Sequence, residues 1–247
     1  VVDFEDSVPV DNFRERMHKK ITLQKFKMDL YFCKSCGHVQ LRDVVDPNIL
    51  FGEYIYESRS SPGLKKHFNN LYNQIDKKNL ISKDNLIIDI GCNDGLLLEN
   101  FINKGLKAVG VDPDKNSLKY AQKRGILTYN SYLNLTTTKK IIQKFGKFNL
   151  VTATNVFSHS DNLDEFTKCI SKLLKNKATF VFEVSYLKAL LFDGVWDYVY
   201  HEHIAYHSIK PLNDFLKKYN IYIFDVDFLN VKGGSIRCYA KKSSILL

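Results

Sequence analysis

Apolar positions along this chain alternate between two periods, and the alternation predicts its elements in order. Leu64, Phe68, Leu71 and Ile75 are spaced 4-3-4, one stripe of a helix that opens at Ser61-Pro62-Gly63. A short apolar run predicts a buried strand at 86–90, and further strands are expected at 107–111, 126–129, 148–153 and 178–184. Helices near 94–104, 115–123 and 136–144 lie between them, and Leu163, Phe166, Ile170, Leu173 and Leu174 mark another, capped by Asp161 or Asn162. Residues 178–184 are nearly all apolar, as a central parallel strand requires. A helix from Pro211 to Lys218 then precedes two strands, 221–228 and 235–240, joined across Lys232-Gly233-Gly234. Regular strand-helix alternation predicts an α/β fold built on a mostly parallel, Rossmann-like sheet with a closing antiparallel strand.

The first strand runs into Asp89-Ile-Gly91-Cys-Asn93-Asp94-Gly95, and the second ends at Asp112. In an open α/β sheet such a turn borders a ligand crevice at the strands' carboxyl ends. Gly91 and Gly95 let backbone pass close to a ligand. Asp112 follows the turn by about 20 residues, the spacing at which an acid meets a ribose diol. A nucleoside ligand is therefore expected. The dinucleotide fingerprint needs a glycine where this chain has Asn93, and no helix N-terminus is freed for a pyrophosphate. The D-x-G-x-x-x-G form instead resembles the first motif of class I S-adenosylmethionine-dependent methyltransferases, whose ligand carries a sulfonium. Asp89, Gly91, Asn93, Gly95 and Asp112 are the expected donor contacts, against a bland alternative in which the turn holds no ligand. Asn155, ending the fourth strand, and Tyr132, in the loop after the third, join them by topology.

Length, charge and cysteines narrow the partners. A chain of 247 residues accommodates one α/β domain and a small extra lobe. Residues 1–60 are irregular and polar and form that lobe; residues 61–247 hold the main domain. No apolar run approaches the ~20 residues of a membrane span, and the acidic start VVDFEDSVPVDNF has no signal-peptide pattern. Five cysteines without a pairing rhythm suit a reducing cytoplasm. The net charge of +9 comes from scattered lysines; the cluster Lys139, Lys140, Lys144 and Lys147 reads as a solvated helix face. An anionic small substrate fits this mild excess better than nucleic acid.

Two further clusters carry chemistry. Tyr198-Val-Tyr200-His201-Glu202-His203-Ile-Ala-Tyr206-His207 follows the fifth strand, and Asn155-Val-Phe-Ser-His159 follows the fourth, so both empty above the crevice. The density of imidazole and carboxylate suits general acid-base work, with metal binding the alternative; the H-E-x-x-H helix spacing is absent. His159 has a structural alternative as a helix cap. Phe32-Cys33-Lys-Ser-Cys36-Gly37-His38 has the form of a zinc knuckle, half of a tetrahedral site. Cys33 and Cys36 are the candidate ligands, with His18 and His38 as weak completions. Cys92, Cys169 and Cys238 fall on main-domain elements as small core residues.

Taken in order, Cys33-x-x-Cys36-Gly-His-Val-Gln40-Leu41, Leu50-Phe51-x-x-Tyr54-x-Tyr56, Asp89-x-Gly91-x-Asn93-Asp94-Gly95, Asn155-Val-Phe-x-His159, Tyr200-His201-Glu202-His203 and Gly233-Gly234-Ser235-x-Arg237 resemble the sugar C-methyltransferase family. Those enzymes methylate C3 of nucleotide-linked 4-keto deoxysugars. The resemblance covers nearly the whole chain. It implies the class I S-adenosylmethionine methyltransferase fold with an N-terminal zinc lobe. It also implies that the family's first cysteine pair falls before residue 1 and that its C-terminal lobe is absent, so zinc would be held poorly by this chain alone. His203 would be the base, oriented by Glu202 and Tyr200, with His159 donating to the enolate oxygen and Tyr54 and Tyr56 closing over the methyl donor. Rival functions are methylation of another small acceptor, a nucleic-acid methyltransferase with a zinc-knuckle reader, and a donor-binding domain without activity.

Overall fold

The computed structural model describes residues 2–10, 24–51 and 58–243. Tyr54, Tyr56 and His18 lie outside the described residues.

Seven strands form the main sheet: β1 (Leu86–Ile90), β2 (Lys107–Asp112), β3 (Leu127–Asn130), β4 (Phe148–Thr154), β5 (Leu174–Ser185), β6 (Ile221–Leu229) and β7 (Ser235–Lys242). Their spatial order is β3-β2-β1-β4-β5-β7-β6. Pairings from β3 through β5 are parallel, and β7 runs antiparallel to both β5 and β6. Helices cover both faces. Phe68, Leu71 and Ile75 of helix Pro62–Lys77 pack with Leu98, Phe101 and Leu118 on one side. Phe166, Ile170 and Leu173 of helix Leu163–Leu173, with Leu212 and Leu216 of helix Ile209–Lys217, bury the other. Cys92, Cys169 and Cys238 are buried, as small core residues should be.

The expected elements are present, and the differences have local causes. The helix expected at 94–104 is Leu96–Ile102, because Gly95 sits in the left-handed region as its N-cap. Asn162 is the cap of the helix that starts at Leu163, accepting from the Glu165 N–H at 3.0 Å. Strand β5 starts at Leu174 rather than 178, so the preceding helix runs into it without a loop. The helix expected from Pro211 starts two residues earlier, at Ile209. Proline in the first turn loses only an N–H that has no helical partner.

The small lobe is a second sheet. Strands Leu30–Phe32 and Val39–Leu41 pair antiparallel, and Val39 and Gln40 pair in turn with the two-residue strand Ala205–Tyr206. Leu30, Leu41, Leu190, Val199 and Tyr206 make its core. The third strand of the lobe is thus supplied by the segment that carries Tyr200 to His203.

A buried charge network fixes the far half of the main sheet. Arg237 of β7 stands in register with Glu183 of β5 on one side and Asp227 of β6 on the other. Its Nε donates to Glu183 Oε1 at 2.7 Å, and His67 of helix Pro62–Lys77 reaches Glu183 Oε2 at 2.7 Å. Arg237 and Glu183 are each 1 % exposed, so both charges are desolvated and depend on this pairing. No helix among the described residues is long and apolar enough to cross a membrane.

Candidate active site

The sheet order reverses beside β1, and a cavity of about 680 Å³ opens at the carboxyl ends of β1, β2 and β4. Asp89, Gly91, Asn93, Asp112, Tyr132 and Asn155 line one part of it. His159, Tyr200, Glu202 and His203 line another. The structure therefore brings the two predicted groups into one space.

The glycine turn is held by the acid at the end of β2. Asp112 Oδ2 accepts from the Asn93 N–H at 2.8 Å, and its Oδ1 accepts from the Asp114 N–H at 2.8 Å. Asn93 has φ 49°, a left-handed conformation that asparagine tolerates, so the turn survives without a central glycine. Its side chain is engaged elsewhere: Oδ1 accepts from the Ser58 and Asp94 N–H groups, both at 2.9 Å. With Asp94 Oδ2 accepting from the Arg59 N–H at 2.9 Å, the turn fastens the point where the chain enters the main domain. The pattern Asn93-Asp94 next to a glycine was the available signal for this role.

The two glycines do different work. Gly91 lines the cavity with φ 72°, and a Cβ there would stand 2.2 Å from Val156 Cγ2. Gly95, with φ 78°, does not line the cavity; a Cβ there would stand 2.5 Å from Ile126 Cδ1. Helix-to-strand packing rather than ligand approach accounts for Gly95. Gly110, unnoticed in the sequence, leaves room for Cys92, whose Sγ would lie 2.5 Å from a Cβ at that position.

Burial sets the protonation of the acids. Asp89 accepts from Thr152 Oγ1 at 2.7 Å, yet desolvation pushes its pKa up to about 7. Asp112 is pushed up to about 6, mainly by desolvation and against the two backbone N–H bonds. Tyr132 is 47 % exposed and offers an open ring at the mouth.

Two hydrogen bonds order the other group. His203 Nδ1 lies 3.0 Å from the Tyr198 carbonyl oxygen, which can only accept, so Nδ1 carries a proton. Nε2 lies 2.7 Å from the Tyr200 hydroxyl and, in the neutral ring, accepts from it. Burial lowers the pKa of His203 to about 4, so the ring is neutral at ordinary pH. His159 packs 5.1 Å from it, ring centre to ring centre, and is held well below the ordinary histidine range by burial, then by His203 and Lys232. The run is clamped from outside: the Ile204 N–H donates to the Ser158 carbonyl at 3.0 Å, and the Leu41 N–H to the Ile204 carbonyl at 2.8 Å.

Cys33 and Cys36 sit exposed on the hairpin turn of the small lobe. Hydrogen bonds from the Cys36 backbone and thiol, then from the Ser35 backbone, hold the Cys33 thiol below its ordinary pKa. Two facing thiols of this kind fit one half of a tetrahedral zinc site. Among the described residues no group of three or more ligating side chains converges. His38, weighed as a completing ligand, is packed 5.6 Å from the His207 ring.

Two stretches of the chain are similar to known families. Residues 88–180 match the family described as "Methyltransferase domain", and residues 1–51 match "Putative zinc binding domain". The chain is 30% identical over 215 residues to the C-methyltransferase NovU of Streptomyces niveus, covering 87% of this chain and 51% of that protein. It thus spans about half the length of that relative. Among solved structures, an S-adenosylmethionine-dependent methyltransferase from Clostridium acetobutylicum aligns with TM-score 0.55 and 17% identity, covering 80% of this chain and 96% of that one. Magnesium protoporphyrin IX methyltransferase from Synechocystis with bound S-adenosylmethionine aligns with TM-score 0.54 and 15% identity, covering 73% and 80%. The fold is that of the class I S-adenosylmethionine methyltransferases.

The raised carboxyl pKa values have a sign that can be checked. Between about 4, the unfolded value, and the folded values of about 6 and 7, the native protein binds more protons at Asp112 and Asp89 than the unfolded chain. These two groups therefore lower stability as pH rises through that window, and their penalty is constant above it. The Asp89→Asn/Asp112→Asn double variant should gain stability relative to the parent from about pH 4 to about pH 8. Urea denaturation at both ends of the range measures it, and a difference that does not change with pH contradicts the assignment.

Proposed function

We propose that the chain is an S-adenosylmethionine-dependent C-methyltransferase acting at C3 of a nucleotide-linked 4-keto deoxysugar. The observation that carries this reading is the Tyr200–His203 pair, neutral and oriented, facing the same cavity as the nucleoside-type turn. Similarity to the C-methyltransferase NovU over most of the chain supports carbon as the methyl acceptor.

When bound, S-adenosylmethionine supplies an electrophilic methyl group. Asp112 holds the donor's ribose, Gly91 gives the backbone close approach, Asn155 and Asp89 form the floor, and Tyr132 covers the adenine side. The acceptor's C3–H is acidic because the C4 ketone delocalises the carbanion. Tyr200 takes that proton as it passes its own to His203 Nε2, the one lone pair the neutral ring offers. The Tyr198 carbonyl keeps the ring in that tautomer throughout. Glu202 stabilises the imidazolium that forms, and His159 donates to the ketone oxygen. A base with a pKa of about 4 is weak alone. Its proton affinity rises as the enolate forms beside it, because the two charges appear together in a site shielded from water. Cys33 and Cys36 hold a structural zinc whose other ligands lie outside the described residues. All five cysteines are free, as a reducing cytoplasm would leave them.

Three outcomes follow. Calorimetry with S-adenosylhomocysteine should show micromolar-range or tighter binding, weakened by about 2 kcal/mol or more in Asp112→Ala, as when charged hydrogen bonds to a ligand go unmade; equal affinity in the variant would remove Asp112 from the donor site. Deuterium exchange at the sugar's C3, followed without methyl donor, should slow by about 10²–10⁴ in His203→Ala while S-adenosylhomocysteine still binds. Exchange at the parent rate would pass the base role to another group. Metal analysis of the full-length protein should find one zinc per chain, lost in Cys33→Ser; zinc retained in that variant would refute the knuckle.

A further inference from the structure

The cavity's charges are segregated in a way the proposed chemistry does not yet use. Asp89, Asp112, Asp114, Asp161 and Glu202 are its carboxylates among the described residues, and Lys232 is its one lysine or arginine. A cavity weighted toward carboxylates suits a cationic sulfonium donor. It is a poor place to develop a negative charge, and the imidazoles bring no resting charge to it, because burial keeps both His159 and His203 neutral before the proton moves.

Lys232 stands at the acceptor end. Burial lowers its pKa while Glu183 and then Glu202 hold the proton on, and its charge in turn acts on His159 and His203. Its position is built by the β6–β7 turn. Lys232 itself has φ 48°, a conformation uncommon for a lysine and held only where the surroundings determine it. Gly233 and Gly234 follow, and a Cβ on either would stand 2.6 Å from the Tyr198 ring or 2.5 Å from Ala189. The Tyr186 N–H donates to the Gly234 carbonyl at 3.2 Å, and the Gly234 N–H to the Val231 carbonyl at 3.0 Å. Tyr198 is the shared support: its ring packs under Gly233 and its carbonyl orients His203. The turn that presents the ammonium and the ring that takes the proton are therefore fixed by one residue.

We propose that Lys232 is a catalytic residue, the cation that binds the acceptor's ketone oxygen and stabilises the enolate. The inference rests on the keto-sugar reading above. In the step it serves, the C3–H bond breaks and its proton passes through Tyr200 to His203. The electron pair delocalises onto the C4 oxygen, where the ammonium receives the charge, and then forms the bond from C3 to the donor's methyl. At the enolate the site holds two cations, imidazolium and Lys232, against two anions, Glu202 and the enolate. Without Lys232 the same proton transfer leaves two anions facing one cation in a desolvated space.

The test is C3–H exchange in deuterium oxide with a nucleoside diphosphate 4-keto-6-deoxyhexose and no methyl donor, using the full-length protein. Lys232→Met should slow exchange by about 10²–10³, the usual effect of removing one oxyanion donor. S-adenosylhomocysteine affinity should stay within about twofold by calorimetry, which also certifies the fold, and Lys232→Arg should recover part of the rate. Exchange at the parent rate in Lys232→Met overturns the proposal, as does a matching loss of S-adenosylhomocysteine binding, which would make Lys232 a donor-site or structural residue. Exchange by the parent protein separates the two levels: if the parent exchanges no C3 proton, the keto-sugar reading fails and this inference with it.

Discussion

The buried pairing of Arg237 with Glu183 is the constraint on which the acceptor half of the molecule depends. Strand β7 runs against its neighbours, so nothing in the parallel pattern dictates its register. A guanidinium in the sheet interior does, because a slip by one residue turns it to the opposite face, away from Glu183. An uncompensated buried charge costs about 3–5 kcal/mol. In the observed register one carboxylate serves two elements, Arg237 on β7 and His67 on the helix whose Leu64 and Phe68 wall the cavity. The turn at Lys232–Gly234 can sit above the cavity only because β7 is held there.

The donor half was legible because it is local. Strand, turn, helix, strand and terminal acid occupy residues 86–112, and their order follows from apolar runs, glycine punctuation and spacing. Asp112 could be singled out from distance along the chain alone. What the same residues do to one another was not legible. Asn93 and Asp94 use side-chain oxygens to fasten Ser58 and Arg59, a contact across 35 positions that no periodicity encodes. Gly95 shows the converse, since a glycine in a ligand-binding pattern proves to be spaced from Ile126 by packing.

The acceptor half was legible in composition and not in geometry. The density of histidine, glutamate and tyrosine after the fifth strand pointed to Tyr200, Glu202 and His203, and topology put His159 nearby. Hydrogen-bond direction made Tyr200 the group that covers the His203 lone pair, which spacing of three residues could only suggest. Lys232 gave no signal in the sequence, being one lysine among many in a turn that read as a simple hairpin. Its significance lies in being, among the described residues, the one lysine or arginine lining a carboxylate-rich space, a property of neighbours that become neighbours only on folding.

The small sheet has a consequence for the order in which the molecule can form. Its strands at 30–32 and 39–41 are completed by Ala205–Tyr206, and His201 reaches the Phe26 carbonyl across 175 positions of sequence. Closing so long a loop adds little to the equilibrium cost, since the penalty grows only logarithmically, but such contacts are slow to find and form late. The donor crevice needs only a contiguous stretch ending at β4. During synthesis, that crevice can take shape while Tyr200, His203 and Lys232 are still unplaced. The two parts of the cavity are then completed at different moments, and the second waits until the last strands have joined the first.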